Sequence, residues 1–199
     1  MMFEVQRTAE FSNWLKDLTD LAAKDAILAR LVRIQSGLMG DVKSLGGKLS
    51  EFRVDLGQGY RLYSMRTGKT VIPARYGNEY PAKEGQIIMA DELGITTFDA
   101  AEYLDSERAQ LSLLNDAIES GNPAYIANAI GAVARARAGM STLARATGIK
   151  RQTLNKSLSL KGNPTLETLV PVLTKLGLRM QIVAAPANDQ GKAKDRARA

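Results

Sequence analysis

The apolar residues of this 199-residue chain change their spacing once, and that change limits what the chain can fold into. Up to about residue 75, short runs of period two are interleaved with helical spacing. Beyond residue 97 the spacing is almost wholly helical. Between them, residues 78–90 (NEYPAKEGQIIMA) contain Pro81 and Gly85 and keep neither period. The pattern predicts an α+β fold: a small antiparallel sheet with two helices over residues 1–77, a linker over 78–92, and an all-α unit over 93–185. A small, polar, basic tail over 186–199 is expected to be disordered. The length exceeds the ~100–150 residues of a common domain, which also favours two units.

The first unit reads β-α-α-β-β-β. Phe3 and Val5 alternate with Glu4 and Gln6. Thr8 is placed to cap a helix carrying Phe11, Trp14, Leu15 and Leu18. Asp20 is placed to cap a second with Ala23, Ile27, Leu31 and Ile34, ending at Gly37. After the turn-rich Gly40-Asp41, the run Leu49 to Leu56 sets Phe52, Val54 and Leu56 against Glu51, Arg53 and Asp55. Gly57-Gln58-Gly59 predicts a three-residue hairpin loop to a return strand, Tyr60 to Met65. A weaker third strand, Thr70 to Ala74, holds Pro73 and should be an edge strand or end early. With that loop Leu56 pairs Tyr60, Val54 pairs Leu62, Asp55 pairs Arg61 and Arg53 pairs Tyr63. Arg53, Arg61 and Tyr63 then share one sheet face, where RNA backbone and a stacked base could lie. On spacing alone, the plainer reading is a solvated sheet face with a cross-strand ion pair.

The second unit begins with a helix opened by Thr97 or Asp99 and carrying Tyr103 and Leu104, then one over Arg108 to Glu119. Asn122 and Pro123 start the next as cap and first residue. Met140 to Thr147, a turn at Gly148, and Arg151 to Leu160 follow. After Gly162-Asn163-Pro164 a last helix runs from about Thr165 to Leu176, with Pro171 expected to bend it. Leu178 to Val183 alternates as a strand would.

Charge is distributed in blocks. Residues 1–88 carry +3, 89–120 carry −7, 121–185 carry +8 and 186–199 carry +2, with no acid from Ser120 to Leu166. This suggests an acidic interaction surface beside a basic nucleic-acid surface. For any one block the alternative is an ordinary solvated helix face. Zero Cys and zero His remove the common transition-metal ligands, disulfides, thiol catalysis and any Ser-His triad. Carboxylate, Lys/Arg or Tyr chemistry remains, or none; no metal and no cofactor is expected. No apolar run nears the roughly 20 residues of a membrane span, and acidic residues near the start argue against a secretory signal. A cytoplasmic protein with no membrane partner is expected.

Residues 140–160 (MSTLARATGIKRQTLNKSLSL) meet the demands of a helix-turn-helix. Ala144 lets two helices approach, Gly148 supplies the turn, and Ile149, Leu154 and Leu158 fall inside. Arg151, Gln152, Asn155 and Lys156 fall outside, suited to guanine, adenine edges and phosphate. Arg145 and Lys161 flank them toward the backbone, and Ser141, Thr142 and Lys150 complete the candidate DNA-binding set. Lys150 stands where Ser or Asp would cap better. The alternative is a helical hairpin that merely packs.

Two family resemblances follow from the residues. Phe98-Asp99, Glu102-Tyr103-Leu104, Gly131, Val133 to Arg137, Met140, Leu143-Ala144, Gly148 to Arg151, Leu154, Gly162-Asn163-Pro164 and Leu176-Gly177-Leu178 resemble HigA-type antidotes of addiction modules, within the Xre/Cro-like helix-turn-helix superfamily. The pattern departs at Asn155, where an aromatic is more usual, and at Pro171. Phe11, Trp14-Leu15, Ala29 to Leu31, Gly40-Asp41, Lys43, Leu45-Gly46, Glu51 to Arg53 and Gly59 to Tyr63 resemble RelE/ParE-like (HigB-type) killer proteins. That family continues with a hydrophobic strand, a Gly-Gly-Asp-Lys-like turn and a closing helix. Here Pro73 interrupts the strand and the turn reads Tyr76-Gly77-Asn78-Glu79, so the toxin unit looks truncated. Met89-Ala90-Asp91-Glu92 resembles an antidote's own N-terminus fused in frame.

The resemblances imply a fused toxin–antitoxin polypeptide acting mainly as a DNA-binding autorepressor on a palindromic operator, as a homodimer to which Leu178 to Val183 contribute. The acidic stretch would pack on the basic toxin face. The alternative is a ribosome-dependent mRNA endonuclease held inactive in cis, metal-independent, using Lys43, Arg53, Arg61 and Tyr63: the arginines on phosphate, Lys43 or Tyr63 moving a proton. Its partners would be the ribosome and mRNA, or gyrase as in ParE relatives; a separate cognate toxin is a further candidate partner. A one-component regulator sensing a small ligand ranks last, because no ligand pocket is marked.

Overall fold

In a computed structural model, residues 2–54, 60–75 and 94–183 are described. The linker, the Gly57-Gln58-Gly59 loop with Asp55 and Leu56, the Tyr76 to Glu79 turn, Met89 and the basic tail lie outside these residues. The N-terminal part runs β1 (Glu4–Arg7), α1 (Ala9–Asp17), α2 (Leu21–Gln35), β2 (Val42–Gly46), β3 (Leu49–Val54), β4 (Tyr60–Thr67) and β5 (Thr70–Arg75). The C-terminal part runs β6 (Thr96–Thr97), a 3₁₀ turn (Ala100–Tyr103), α3 (Glu107–Glu119), α4 (Pro123–Arg137), α5 (Met140–Thr147), α6 (Arg151–Ser157) and α7 (Leu166–Lys175). The described residues are therefore mixed α and β, with six strands and seven α-helices among them.

Several elements start where side-chain oxygens satisfy orphan amides. Thr8 Oγ1 accepts from Phe11 N at 3.1 Å, Asp20 Oδ1 from Ala23 N at 3.0 Å, and Asn122 Oδ1 from Tyr125 N at 3.0 Å. Each such cap is worth about 1 kcal/mol. The buried apolar set is continuous from Phe3, Val5, Phe11 and Ile27 through Phe98, Tyr103 and Leu113 to Tyr125, Val133, Leu154 and Leu158.

The sheet order is β2-β3-β4-β5-β1-β6, with β1 parallel to β5 and the other pairs antiparallel, so the sheet is mixed rather than antiparallel, and β6 adds a strand from the part expected to be all-α. Three further expectations are corrected here. Val54, not Leu56, pairs Tyr60, and Phe52 pairs Leu62, Arg53 pairs Arg61 and Glu51 pairs Tyr63. The connection thus spans five residues, 55–59, rather than three. Because the slip is by two, each residue keeps its face. Pro73 lies within β5, which runs to Arg75 as an interior strand. The chain tolerates it because β1 pairs only with Thr70 and Val71, leaving Pro73 a neighbour on one side only. Leu178 to Val183 joins no ladder: no described strand lies beside it, and Met180, Ile182 and Val183 are exposed.

Strand β6 has two residues, too few to announce itself in the sequence, and β2 (VKSLG) lacks the alternation that would. Likewise, the helix expected over Tyr103 and Leu104 is only a 3₁₀ turn, capped by Asp99, and α6 stops at Ser157 rather than Leu160.

The acidic stretch packs on the N-terminal part, but on β1, α1 and α2 rather than on the basic sheet face. Arg7 Nη2 meets Glu102 at 2.5 Å, Lys24 meets Asp105 at 3.4 Å, and Arg33 meets Asp116 at 2.6 Å. One pair runs in the opposite sense, Arg108 to Asp25 at 3.1 Å. Burial raises the Asp25 carboxyl above its usual range despite Arg108 and Lys24 beside it. Tyr125 is fully buried at this junction, its hydroxyl 2.5 Å from Asp116 Oδ2 and 3.3 Å from the Ala29 carbonyl. Burial, then the Asp116 contact, pushes its hydroxyl pKa upward.

Candidate nucleic-acid interface

Helices α5 and α6 are joined by Gly148, Ile149 and Lys150. Gly148 ends α5 in the left-handed region at φ 73, which an L side chain resists. Its N–H donates to the Ala144 carbonyl at 3.0 Å. Thr147 braces the same turn: its hydroxyl donates to the Leu143 carbonyl at 2.8 Å and accepts from Ile149 N at 3.3 Å. Leu143, Leu154 and Leu158 are buried and Ile149 is half-buried, so the inner face is as expected.

All nine candidates, Ser141, Thr142, Arg145, Lys150, Arg151, Gln152, Asn155, Lys156 and Lys161, are exposed. None of the five cations among them forms an ion pair within the described residues. Lys150 occupies the N-cap of α6 and gives no side-chain cap, as its residue type dictates.

One close approach sets this unit on α4, and a second folds the following turn against the end of α6. A methyl group at Gly131 of α4 would stand 2.0 Å from the Leu158 carbonyl oxygen, and one at Gly162 would stand 1.9 Å from the Ser157 carbonyl oxygen. The end of α6 therefore rests directly on α4 backbone. The basic field of residues 121–185 is narrower than its charge count, because two arginines are spent inside the molecule. Arg135 holds Asp99 with two bonds, 2.8 and 3.2 Å. Burial alone would raise Asp99, but these bonds and the Ala101 amide leave its pKa below the usual value. Arg137 donates to the Leu176 carbonyl at 2.6 Å, to Glu107 at 3.0 Å and to Gln110, tying α4 to α3 and α7. Spacing gave no warning of either role, since the partners lie 27 to 39 residues away.

A second charged group of residues lies on the sheet. Lys43 pairs Glu51 across β2 and β3, Glu51 pairs Tyr63, and Arg53 pairs Arg61, so all five share the face opposite the apolar layer. Lys43, Arg53 and Arg61 are exposed, Tyr63 is half-buried, and Glu51 is only 4% exposed. Arg53 Nε donates to Glu51 Oε1 at 3.0 Å, and the Tyr63 hydroxyl donates to Oε2 at 3.3 Å. The Arg53 hydrogen bond, against burial and with help from Arg61 and Tyr63, holds Glu51 below the usual carboxylate range. Sequence spacing set Glu51 on this face beside Arg53 but gave it no role in the site. Its alternation with Phe52 already carried the signal.

Against known proteins, residues 94–184 match the family described as "Probable addiction module antidote protein". An uncharacterized protein of Haemophilus influenzae is 34% identical over 99 residues, covering 48% of this chain and 100% of that protein. Over residues 94–184 the chain belongs to the antidote family. A second uncharacterized protein of Haemophilus influenzae is 44% identical over 85 residues, 43% of this chain and 87% of that one. No solved structure matches the chain. The α5–α6 unit and its exposed cations thus lie within the antidote segment, whereas the sheet face lies outside it. No helix among the described residues is long and apolar enough to cross a membrane.

Proposed function

We propose that this chain is a fused toxin–antitoxin polypeptide whose antidote part, HigA-like, binds operator DNA through a helix-turn-helix and represses its own transcription. The carrying observation is the α5–α6 ridge, where cations and amides stand exposed and, among the described residues, the cations form no ion pair. In this reading Arg151, Gln152 and Asn155 read base edges in a major groove. Arg145, Lys150, Lys156 and Lys161 take phosphates, with Ser141 and Thr142 at the entry of α5. A palindromic operator needs a two-fold protein, and the unpaired, alternating Leu178 to Val183 segment would supply a strand to a second copy. As an antidote, the chain would also meet a cognate toxin.

Operator affinity measured against salt tests this. Log affinity falls steeply with log salt, because phosphate contacts release counterions. Arg151→Ala with Gln152→Ala costs about 1–3 kcal/mol per lost base contact and relaxes sequence preference, whereas Lys161→Ala weakens all DNA alike. Binding indifferent to all three substitutions would remove the reading.

The sheet face favours a second reading, a RelE-like, metal-independent endoribonuclease in residues 1–77, restrained in cis. The ribose 2′-hydroxyl would attack the adjacent phosphorus and expel the 5′-oxygen. Arg53 and Arg61 would offset phosphate charge, and Lys43 or Tyr63 would handle the proton. Glu51 supports it by holding Arg53 and Tyr63 in place. Residues 1–88 expressed without the antidote part, with and without Arg61→Ala, are compared for growth arrest and message cleavage; toxicity lost on Arg61→Ala supports the reading, and equal harmlessness of both counts against it.

A further inference from the structure

We propose that a notch at one end of the sheet binds the phosphate group of a small phosphomonoester. The inference is independent of any nucleic-acid role. The notch lies outside the antidote segment and on the sheet face opposite Lys43, Arg53, Arg61 and Tyr63. Strand register puts it there. Ser44 pairs Ser50 and Ser50 pairs Ser64, so three hydroxyls cross β2, β3 and β4 in one row, on the face that carries Phe52 and Leu62. Arg66 falls two residues beyond Ser64 on the same face, its guanidinium carbon 4.9 Å from the Phe3 ring centroid. Phe52 and Leu62 are buried, whereas Ser44 and Arg66 are exposed, so the cover over this face gives out toward them.

The space there has a volume of about 480 Å³ and is lined by Val42, Ser44, Lys48, Ser50 and Arg66, together with glycines of two turns. Its charge is of one sign. Backbone brings the two cations together, because Arg66 N donates to the Lys48 carbonyl at 2.8 Å. Among the described residues neither side chain forms an ion pair, and none of those lining the notch is acidic. Like charges that border one cavity repel unless an anion lies between them.

The serines supply directed donors beside that charge. Ser64 Oγ is buried and has no hydrogen-bond partner among the described residues, an expensive state for a hydroxyl. A hydroxyl both donates and accepts. When Ser50 donates to a phosphate oxygen in the notch, its own oxygen is free to accept from Ser64 across the strands. Volume selects the rest of the ligand. Small-molecule sites span roughly 300–1,000 Å³, and an inorganic phosphate alone fills a small part of this one. The organic part of a phosphomonoester would lie along Val42 and the methylene stem of Lys48.

Titration calorimetry on the full chain at about 0.1 M salt, where distant charges are screened, tests this with ribose 5-phosphate, inorganic phosphate and ribose as probes. Ribose 5-phosphate is expected to bind saturably and more tightly than inorganic phosphate, and ribose to give no heat. Lys48→Gln and Arg66→Gln each weaken binding about tenfold, as loss of a charged donor should, and Ser50→Ala weakens it less. Lys175→Gln lowers the net charge equally at an exposed site on α7 and leaves binding unchanged. Lys48 stands in an exposed turn, so its variant stays decisive even where Arg66→Gln disturbs the packing on Phe3. Absence of ribose 5-phosphate binding, or an affinity indifferent to Lys48→Gln, overturns the site. Equal affinity for ribose 5-phosphate and inorganic phosphate overturns the phosphomonoester and leaves a free oxyanion as the ligand.

Discussion

One added methyl group does not fit at residue 131. Gly131→Ala drives its Cβ to 2.0 Å from the Leu158 carbonyl oxygen, with backbone on both sides and no flexible tip to yield. The expected cost is about 1–3 kcal/mol, a typical overpacking penalty, seen as a Tm lowered by several degrees. Asp99 makes a different kind of prediction. Its folded pKa is depressed, so the charge contributes stability above the ordinary value of 3.8 and loses it as pH falls through the lower folded value. Asp99→Asn keeps an oxygen for the Ala101 amide and removes the charge and the second acceptor oxygen that Arg135 meets. At pH 7 it should cost about 1 kcal/mol or less, since the pair is more than one-third exposed. The gap from the parent narrows toward zero in chemical denaturation below pH 3.8. Neither effect is written locally in the sequence. Gly131 reads as a weak helix residue, and Asp99 as a cap, until the carbonyl and guanidinium brought against them are known.

Elements reward local reading where a side chain acts on its own backbone. The caps of α1, α2 and α4 and the turn at Gly148 all follow from residue type and spacing. Lys150 offers a prediction at this scale. It sits at the N-cap of α6 with extended backbone and no side-chain bond. Lys150→Ser should stabilise the fold by about 0.5–1 kcal/mol through a new cap and, if the ridge binds DNA, weaken that binding by loss of one phosphate contact. Thermal melts and salt-dependent titrations separate the two effects. Strands were less legible. Residues 178–183 alternate as a strand does, yet alternation creates no ladder without a neighbour. Pro73 marks an edge, yet β5 meets that demand beyond Val71, where its register with β1 ends, while remaining interior in the sheet order. The hairpin register erred by two because loop length depends on how 55–59 close, while the faces survived because side chains repeat every two residues.

Across the whole molecule, the junction sets behaviour. The single tryptophan, Trp14, lies in α1 and packs on the core, its ring 5.4 Å from that of Phe11. It reports on the N-terminal part, while amide exchange in α4 reports on the antidote part. Because Phe98, Tyr103 and Tyr125 are buried between the parts, both probes should show one common denaturant midpoint. Two separated midpoints would mean that the parts unfold independently. The blocked charge pattern was legible in the sequence, and its use was half legible. The acidic block does meet cations, but those of β1 and α2, leaving Lys43, Arg53 and Arg61 exposed on the other sheet face.

What the chain's own order of residues determined is everything decided within a turn or two of backbone: where helices begin, which strand residues share a face, and the left-handed turn that aims the α5–α6 ridge. Folding in three dimensions decided which strand lies beside which and which charge meets which. Arg7 and Tyr103 stand 96 residues apart in the chain yet share a hydrogen bond. Such contacts are chosen by closure of the common core, and a pattern with a period of two or 3.6 residues holds no record of them.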